Sequence, residues 1–356
     1  MRVKNDRSNV GTAVIGLGRG MSHVRCLNSA DGSELLAVCD SNKELAGKVA
    51  VEFSCDAYAD YHEMLQRDDI GLVSLCTPSG THCAIADEIA MAGKHVLLEK
   101  PIDIRLDRID RTVKLFDEKG LQLGCIFQNR LEESSRMTKK AVDEGRLGRM
   151  TLATAQVKWY RDDKYYLASG GWRGTWAHDG GGSLMNQSVH TIDLMQWMMG
   201  PVKSVFGVTG IWAHEIESED MGVALVKFES GAFGTIVGST ATYPGFGTTL
   251  DIHGTDGGIC MKNNAITAWS LRDNEPCEEE NVVKIFAEKA ENIELRGINQ
   301  KAITDETSFK QIQDMVCAVR DNRAPLIPGK EGRNSVEIIL AIYRSAQTGK
   351  EVFLPL

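Results

Sequence analysis

From Val10 onward, short and almost uninterrupted apolar runs alternate with segments whose apolar residues recur three and four apart. The runs Val10–Ile15, Glu34–Cys39, Gly71–Cys76, His95–Leu98 and Leu123–Phe127 read as strands, and Val51–Phe53 as a further short one. Between them, Gly20–Ser29, Asn42–Val49, Tyr61–Gln66, His82–Ala92 and Leu106–Lys119 carry helical spacing, the last closed by Gly120. Strands that are apolar on both faces and separated by helices belong to a parallel sheet covered on both sides. Right-handed crossovers then make it a doubly wound α/β sheet.

The pattern changes after Arg130. One helix, Ser134–Glu144, is followed by long stretches of alternating or β-rich character: Thr151–Tyr160, Val202–Trp212, Met221–Phe228, Gly231–Ser239 and Thr248–His253. Glu229-Ser230-Gly231 and Gly254-Thr255-Asp256-Gly257 read as hairpin connections. Helical spacing returns at Val189–Met199, Ser308–Val319 and Ser335–Ala346. We expect two domains, residues 1–130 and 131–356. The second is α+β with a large, mostly antiparallel open sheet, and its C-terminal helix is expected to pack back on the first.

Composition narrows the function. Apolar residues make up 42% of 356, enough for a real core, and no stretch is long enough to span a membrane. A formal charge of -9 lacks the basic footprint of a nucleic-acid binder. The nine cysteines form no CxxC pair and read as reduced thiols, which with the missing signal peptide suggests a cytoplasmic protein. The histidines form no HExxH motif, so no metal is expected.

Chemistry begins at the turn after the first strand. Gly16 and Gly18 open a helix, with Arg19, Gly20 and Met21 following; the usual third glycine would stand at 21. Such a turn admits a pyrophosphate at the helix N-terminus. Asp40 ends the second strand, where an acid accepts ribose hydroxyls and repels a 2′-phosphate. NAD is therefore expected over NADP, although Lys43 softens the repulsion. No GxxxxGK[ST] motif is present, and the fold alone would also admit a flavin.

Further motifs follow later strands: Thr77-Pro78-Ser79-Gly80-Thr81-His82, Glu99-Lys100-Pro101 and Gln128-Asn129-Arg130. The segment Asp179-Gly180-Gly181-Gly182-Ser183-Leu184-Met185-Asn186-Gln187-Ser188-Val189-His190-Thr191-Ile192-Asp193 and the ending from Gly329 to Leu356 complete the set. Together they resemble the glucose–fructose oxidoreductase / inositol dehydrogenase / rhizopine-catabolism (Gfo/Idh/MocA) family over essentially the whole chain. The resemblance implies an N-terminal Rossmann domain and a C-terminal domain that supplies the substrate wall and the interface of a homo-oligomer, dimer or tetramer. It places Gly16, Gly18, Arg19, Gly20, Met21, Asp40, Thr77, Pro78, Ser79, His82, Glu99, Lys100 and Asn129 on the dinucleotide. It puts Lys100 beside the reacting carbon, with a cis peptide to Pro101, and His190 at the same centre. Many polyol-oxidising members carry aspartate where this chain has Asn186, and an amide cannot carry a proton at neutral pH.

Hydride transfer from an alcohol needs a base for its proton and a positive group for the alkoxide. Lys100 and His190 are the candidates, sharing one oxygen, with Asn186 on an adjacent hydroxyl. Asp193 would orient or cap. The segment from Lys158 to Trp176 concentrates Trp159, Tyr160, Arg161, Tyr165, Tyr166, Trp172, Arg173 and Trp176. Aromatic faces suit sugar C–H surfaces and arginines suit carboxylate or phosphate. We assign Arg161, Tyr165, Tyr166, Trp172 and Arg173 to the substrate, and Asn129 and Arg130 to reach the same pocket. The segment resembles the branch that oxidises C3 of nucleotide-linked sugar acids; a free or glycosidic sugar fits equally. The expected activity is NAD-dependent oxidation of a sugar hydroxyl. A glycosidase working through transient oxidation and a polyol or inositol dehydrogenase are the alternatives.

Overall fold

The computed structural model describes residues 9–291 and 304–356. By internal contacts they form two units, residues 9–128 with 304–333, and residues 129–291 with 334–356.

The first unit begins with β1 (Val10–Ile15), α1 (Gly20–Ser29), β2 (Ser33–Cys39), α2 (Lys43–Phe53), β3 (Asp56–Tyr58) and α3 (Tyr61–Leu65). It continues with β4 (Leu72–Leu75), α4 (His82–Met91), β5 (His95–Leu98), α5 (Leu106–Lys119) and β6 (Leu123–Cys125). The strands are parallel in the order β3-β2-β1-β4-β5-β6, so the order reverses between β1 and β4. Their continuous apolar character reflects burial on both faces: Ala13, Val14, Val38, Val73 and Val96 have no exposed surface.

One expectation fails here. Val51–Phe53 is the last turn of α2, not a strand, and Val51 is largely exposed. Ser54 ends the helix in the left-handed region, at φ 56°, and the Cys55 N–H closes on the Ala50 carbonyl. The edge strand comes three residues later, where Asp56–Tyr58 pairs with Ala37–Cys39.

The second unit holds α6 (Glu133–Asp143), β7 (Met150–Lys158), α7 (Asp163–Leu167), α8 (Val189–Met199), β8 (Val202–Gly210), β9 (Met221–Phe228) and β10 (Phe233–Ser239). Then come β11 (Gly247–Gly254), β12 (Gly257–Lys262), β13 (Ala265–Leu271) and α9 (Glu278–Glu291). α10 (Thr304–Arg320) returns to the first unit, where Ile312, Met315 and Val316 join its apolar core. α11 (Gly329–Thr348) and β14 (Val352–Phe353) end the chain.

The second sheet runs β13-β12-β11-β7-β10-β9-β8-β14, antiparallel except for the β7–β10 pair. Strand alternation separates its faces: Gly222, Ala224, Val226 and Phe228 are buried, while Val223, Leu225 and Lys227 are exposed. The register sets Phe206 and Thr235 beside Leu225, and Val208 and Val237 beside Val223, which gives this open face an apolar centre.

Arg130 and Asp193 meet within the second unit. Arg130 Nε donates to Asp193 Oδ2 at 2.8 Å and Nη2 to Oδ1 at 2.6 Å, with both side chains buried. This corrects the expectation that Arg130 reaches a substrate pocket. The carboxylate would be costly to bury alone, and the bidentate geometry compensates it. Asp193→Asn should lower stability by about 3 kcal/mol, because it leaves a buried guanidinium short of its counter-charge. Equilibrium urea unfolding measures it, and a loss below about 0.5 kcal/mol would refute this reading of the pair.

Candidate functional site

In the first unit, the glycine turn lies where the strand order reverses, the usual place for a ligand in a doubly wound sheet. Gly16 has φ +85°, and a Cβ there would stand 2.7 Å from the Cys76 carbonyl oxygen. The tight helix–strand contact falls to Gly20: its Cβ would lie 3.0 Å from Val14 Cγ1 and 3.3 Å from Cys76 Cβ. Met21, expected on the cofactor, instead packs against the apolar core. A Cβ on Gly18 would meet nothing within 4 Å, so open space faces the start of α1, whose first turn carries no acid. That opening suits a pyrophosphate. Asp40 Oδ2 accepts the Leu17 N–H and Oδ1 the Asn42 N–H, both at 2.8 Å. The carboxylate is thereby held against the glycine turn, where it fits a ribose diol.

The Lys100 segment is pinned from two sides. Glu99 Oε2 accepts the Lys100 N–H at 3.1 Å. Its Oε1 accepts from Arg19 Nε at 3.2 Å and faces His23 Nε2 at 3.1 Å, while His23 Nδ1 lies 2.6 Å from Ser74 Oγ. Burial opposes charge on His23, but Cys76 and Glu99 outweigh it and lift its pKa to about 10. Burial likewise pushes Glu99 up, yet His23, Arg19 and Lys100 hold its carboxyl well below the usual range. An imidazolium–carboxylate pair results.

His82, also expected on the cofactor, is turned inward. Its Nδ1 lies 2.8 Å from the Pro101 carbonyl oxygen and its Nε2 2.8 Å from that of Thr77. Burial pushes its pKa down, and a neutral ring has one N–H for these two acceptors. Glu99 is buried as well, so its work is on Lys100 and α1 rather than on a ligand. Thr77 Oγ1 accepts from Thr81, Pro78 precedes the 3-10 turn Ser79–Thr81, and Ser79 is buried. The Lys100–Pro101 peptide is cis. Asn129 sits partly buried in the 3-10 turn Gln128–Leu131.

In the second unit, Ser183–Ser188 forms a π-helical turn that runs into α8, so Asn186 lies in the turn and His190 in the first turn of the helix. The glycines before it are required by contact: a Cβ on Gly182 would lie 1.9 Å from the Glu219 carbonyl oxygen. The Glu219 carboxylate accepts the N–H groups of Gly182 at 3.0 Å and Leu184 at 2.8 Å, and the Tyr343 hydroxyl at 2.9 Å. Burial outweighs these donors and pushes its carboxyl up to about 7.

Asn186 is held at both ends. Its Nδ2 donates to Asp179 Oδ1 at 2.6 Å, and its Oδ1 accepts from Gln187 Nε2 at 2.9 Å and Tyr165 Oη at 3.4 Å. Asp179 Oδ2 also accepts the Gly174 N–H at 2.8 Å. Arg161 donates to Gln187 Oε1 at 3.0 Å, and its guanidinium stacks on Trp159 and Tyr165. Arg173 stacks on Tyr165 at 4.7 Å and on Trp172 at 5.2 Å. Two guanidiniums thus share the Tyr165 ring. Burial pushes the Arg161 pKa down, a cost that an anionic ligand would relieve. Tyr166 packs edge-on against Tyr165 at 5.1 Å, but it is buried, and its hydroxyl lies 2.7 Å from Thr240 Oγ1.

The sequence drew Asp179 and Gln187 into a motif without showing what they hold. His23 carried a weaker signal, a polar residue on the buried face of α1. Glu219 carried none, because it stands in the polar run Glu215–Asp220. Among the described residues no group of three His, Cys, Asp or Glu is placed to hold a metal, and no helix is long and apolar enough to cross a membrane.

Comparison with known proteins identifies both units. Residues 10–127 match the oxidoreductase family with an NAD-binding Rossmann fold, and residues 135–260 match the Gfo/Idh/MocA C-terminal domain. The chain is similar to the WlbA dehydrogenase of Bordetella pertussis, solved with NADH and UDP-GlcNAcA: 31% identity, 99% of each chain, TM-score 0.89. The corresponding Chromobacterium violaceum enzyme, solved with the same two ligands, gives 31% identity, 99% and 98% coverage and a TM-score of 0.86. Myo-inositol 2-dehydrogenase of Thermotoga maritima is 24% identical over 96% of this chain and 97% of its own.

Glu219 gives the π-helical turn a pH dependence. Its carboxyl titrates near 4.5 when unfolded and about 7 when folded. Between those values the folded chain binds more protons, so stability falls as pH rises through that window and is level above it. Glu219→Gln should remove about 2 kcal/mol from the stability difference between about pH 5 and pH 8. Urea unfolding at the two pH values measures this, and an unchanged difference would overturn the assignment.

Proposed function

The chain belongs to the Gfo/Idh/MocA oxidoreductase family, and on that premise we propose that it oxidises a ring hydroxyl, at C3, of a nucleotide-linked sugar acid. At the coarser level it is an NAD-dependent oxidoreductase acting on a CH–OH group of a sugar or sugar derivative. The observation that carries the finer reading is the pair of guanidiniums, Arg161 and Arg173, on the Tyr165 ring beside Asn186. Two cations in a partly buried aromatic setting favour an acidic ligand over a neutral polyol. The likeness to two enzymes solved with UDP-GlcNAcA points the same way.

NAD supplies the hydride acceptor, held by the glycine turn and Asp40, whose carboxylate disfavours a 2′-phosphate. Lys100 and His190 serve the reacting oxygen together, taking its proton and holding the alkoxide as charge develops. Asp179 fixes the amide of Asn186, and the amide oxygen exchanges the long 3.4 Å Tyr165 contact for a substrate hydroxyl while keeping Gln187. The inositol-type proton relay through an aspartate at this position is absent, and this disfavours the polyol reading.

NADH formation on mixing the protein with NAD and UDP-GlcNAcA tests the reading, with myo-inositol, glucose and an aryl glycoside as competing arms. UDP-GlcNAcA should give the highest kcat/KM, and NAD should titrate more tightly than NADP. Lys100→Ala and His190→Ala should each lower kcat by roughly 10²–10⁴-fold with little change in NAD affinity. Asn186→Ala should act mainly on KM. Preference for inositol, or hydrolysis of the glycoside without net NADH, would replace the proposal; near-normal turnover in both variants would remove Lys100 and His190 from the chemistry.

We also propose a homo-oligomer, dimer or tetramer, formed by the open face around Phe206, Val223 and Leu225. Light scattering should report a multiple of the 39.1 kDa chain, and Leu225→Glu should shift it to monomer. A monomeric parent protein at micromolar concentration would contradict this.

A further inference from the structure

Lys100 lies between two residues whose polar atoms are taken by buried histidines. Before it stands Glu99, whose carboxylate joins the Lys100 N–H to His23 and Arg19. After it stands Pro101, whose carbonyl oxygen faces His82. We propose that His23 and His82 are positioning residues for Lys100, one fixing the peptide before its Cα and the other the Pro101–Ile102 peptide that lies just beyond the Lys100–Pro101 bond. The inference rests on the proposed role of Lys100 in turnover.

The attachments lead to different parts of the unit. Through His23, Glu99 is tied to α1 and to Ser74 in β4. Through His82, the first residue of α4, Pro101 is tied to that helix: the one N–H of the neutral ring is shared between the Pro101 and Thr77 carbonyl oxygens, each 2.8 Å away. The two histidines have no exposed surface to speak of, 0% and 1%, so neither is available to touch a ligand. Packing alone does not require them, since apolar side chains would fill the same volume without burying polar groups. What the polar arrangement adds is direction. A lysine ammonium rides on a flexible four-carbon stem, so its placement depends on how firmly its Cα is held. Small misplacements of a reacting group are costly to rate.

The test uses the full chain and three variants, His23→Gln, His82→Gln and the milder Ser74→Ala, which leaves His23 in place without its Nδ1 partner. Amide hydrogen exchange of the Lys100 N–H reads position without reference to activity. It should quicken by about tenfold in the His23 and His82 variants and less in Ser74→Ala, while the Val14 amide of β1 stays slow. With UDP-GlcNAcA and NAD, each histidine variant should lower kcat by about tenfold to a hundredfold and leave KM and NAD affinity nearly unchanged. In a Lys100→Ala background the same substitutions should cost less than about twofold, because the residue they act through is gone. Unchanged exchange at Lys100, equal quickening at Val14, or kcat losses that multiply in the Lys100→Ala background would each overturn the proposal. Normal turnover in Lys100→Ala alone would instead remove the catalytic reading of Lys100, and the exchange result would still decide the positioning.

Discussion

A charge removed from water has to be matched where it lies, and both units are built around that constraint. In the first, Glu99 is buried next to Lys100 and is answered by His23 and Arg19. In the second, Asp193 is answered by Arg130, while Glu219 meets the constraint differently, by a carboxyl that titrates near neutrality among backbone donors. Each of these groups holds a segment that carries a proposed site residue: Glu99 the peptide of Lys100, Asp193 the helix of His190, and Glu219 the turn of Asn186. The acids that sequence motifs single out are thus split between binding a ligand, as proposed for Asp40, and holding the chain's own groups, a backbone N–H at Glu99 and the Arg130 guanidinium at Asp193.

The first unit was legible because its strands are buried on both faces, so their apolar runs are unbroken. The same signal misled at Val51–Phe53, where three apolar residues finish a helix on an exposed surface. In the second unit, alternation revealed β9 and β10 directly, because one face is open. At the site, the sequence displayed Lys100, His190 and the glycines as a motif but could not show their partners. Arg130 and Asp193 are 63 residues apart, and no local pattern joins them. Glu219 looked like one more solvated acid. His82 was placed on the dinucleotide by the family resemblance of the motif it closes; its ring is turned inward between two backbone carbonyls instead.

Asn186 shows how a departure from a familiar pattern is explained by its surroundings. Asp179 already places a carboxylate 2.6 Å from the side chain at this position. A second carboxylate there would face the first, and both could not stay ionised at that distance. The amide is the complementary choice: its nitrogen satisfies Asp179 and its oxygen remains an acceptor. The same network links the arginine- and tyrosine-rich segment to the π-helical turn through Tyr165 and Gln187.

The third glycine stands one position earlier than in the usual fingerprint, and the point where α1 touches the sheet stands there with it. Gly20 is the point where the helix touches β1, and His23 follows it by three positions, hence on the same face. Each residue added to or removed from a turn rotates the following helix by about 100° about its axis. With the contact glycine at 21, the side facing Ser74 and Glu99 would begin from a different residue, and the imidazole would swing out of reach of both. The position of the contact glycine therefore also decides, through helical phase, which side chain is delivered to Glu99, beside the lysine that follows β5.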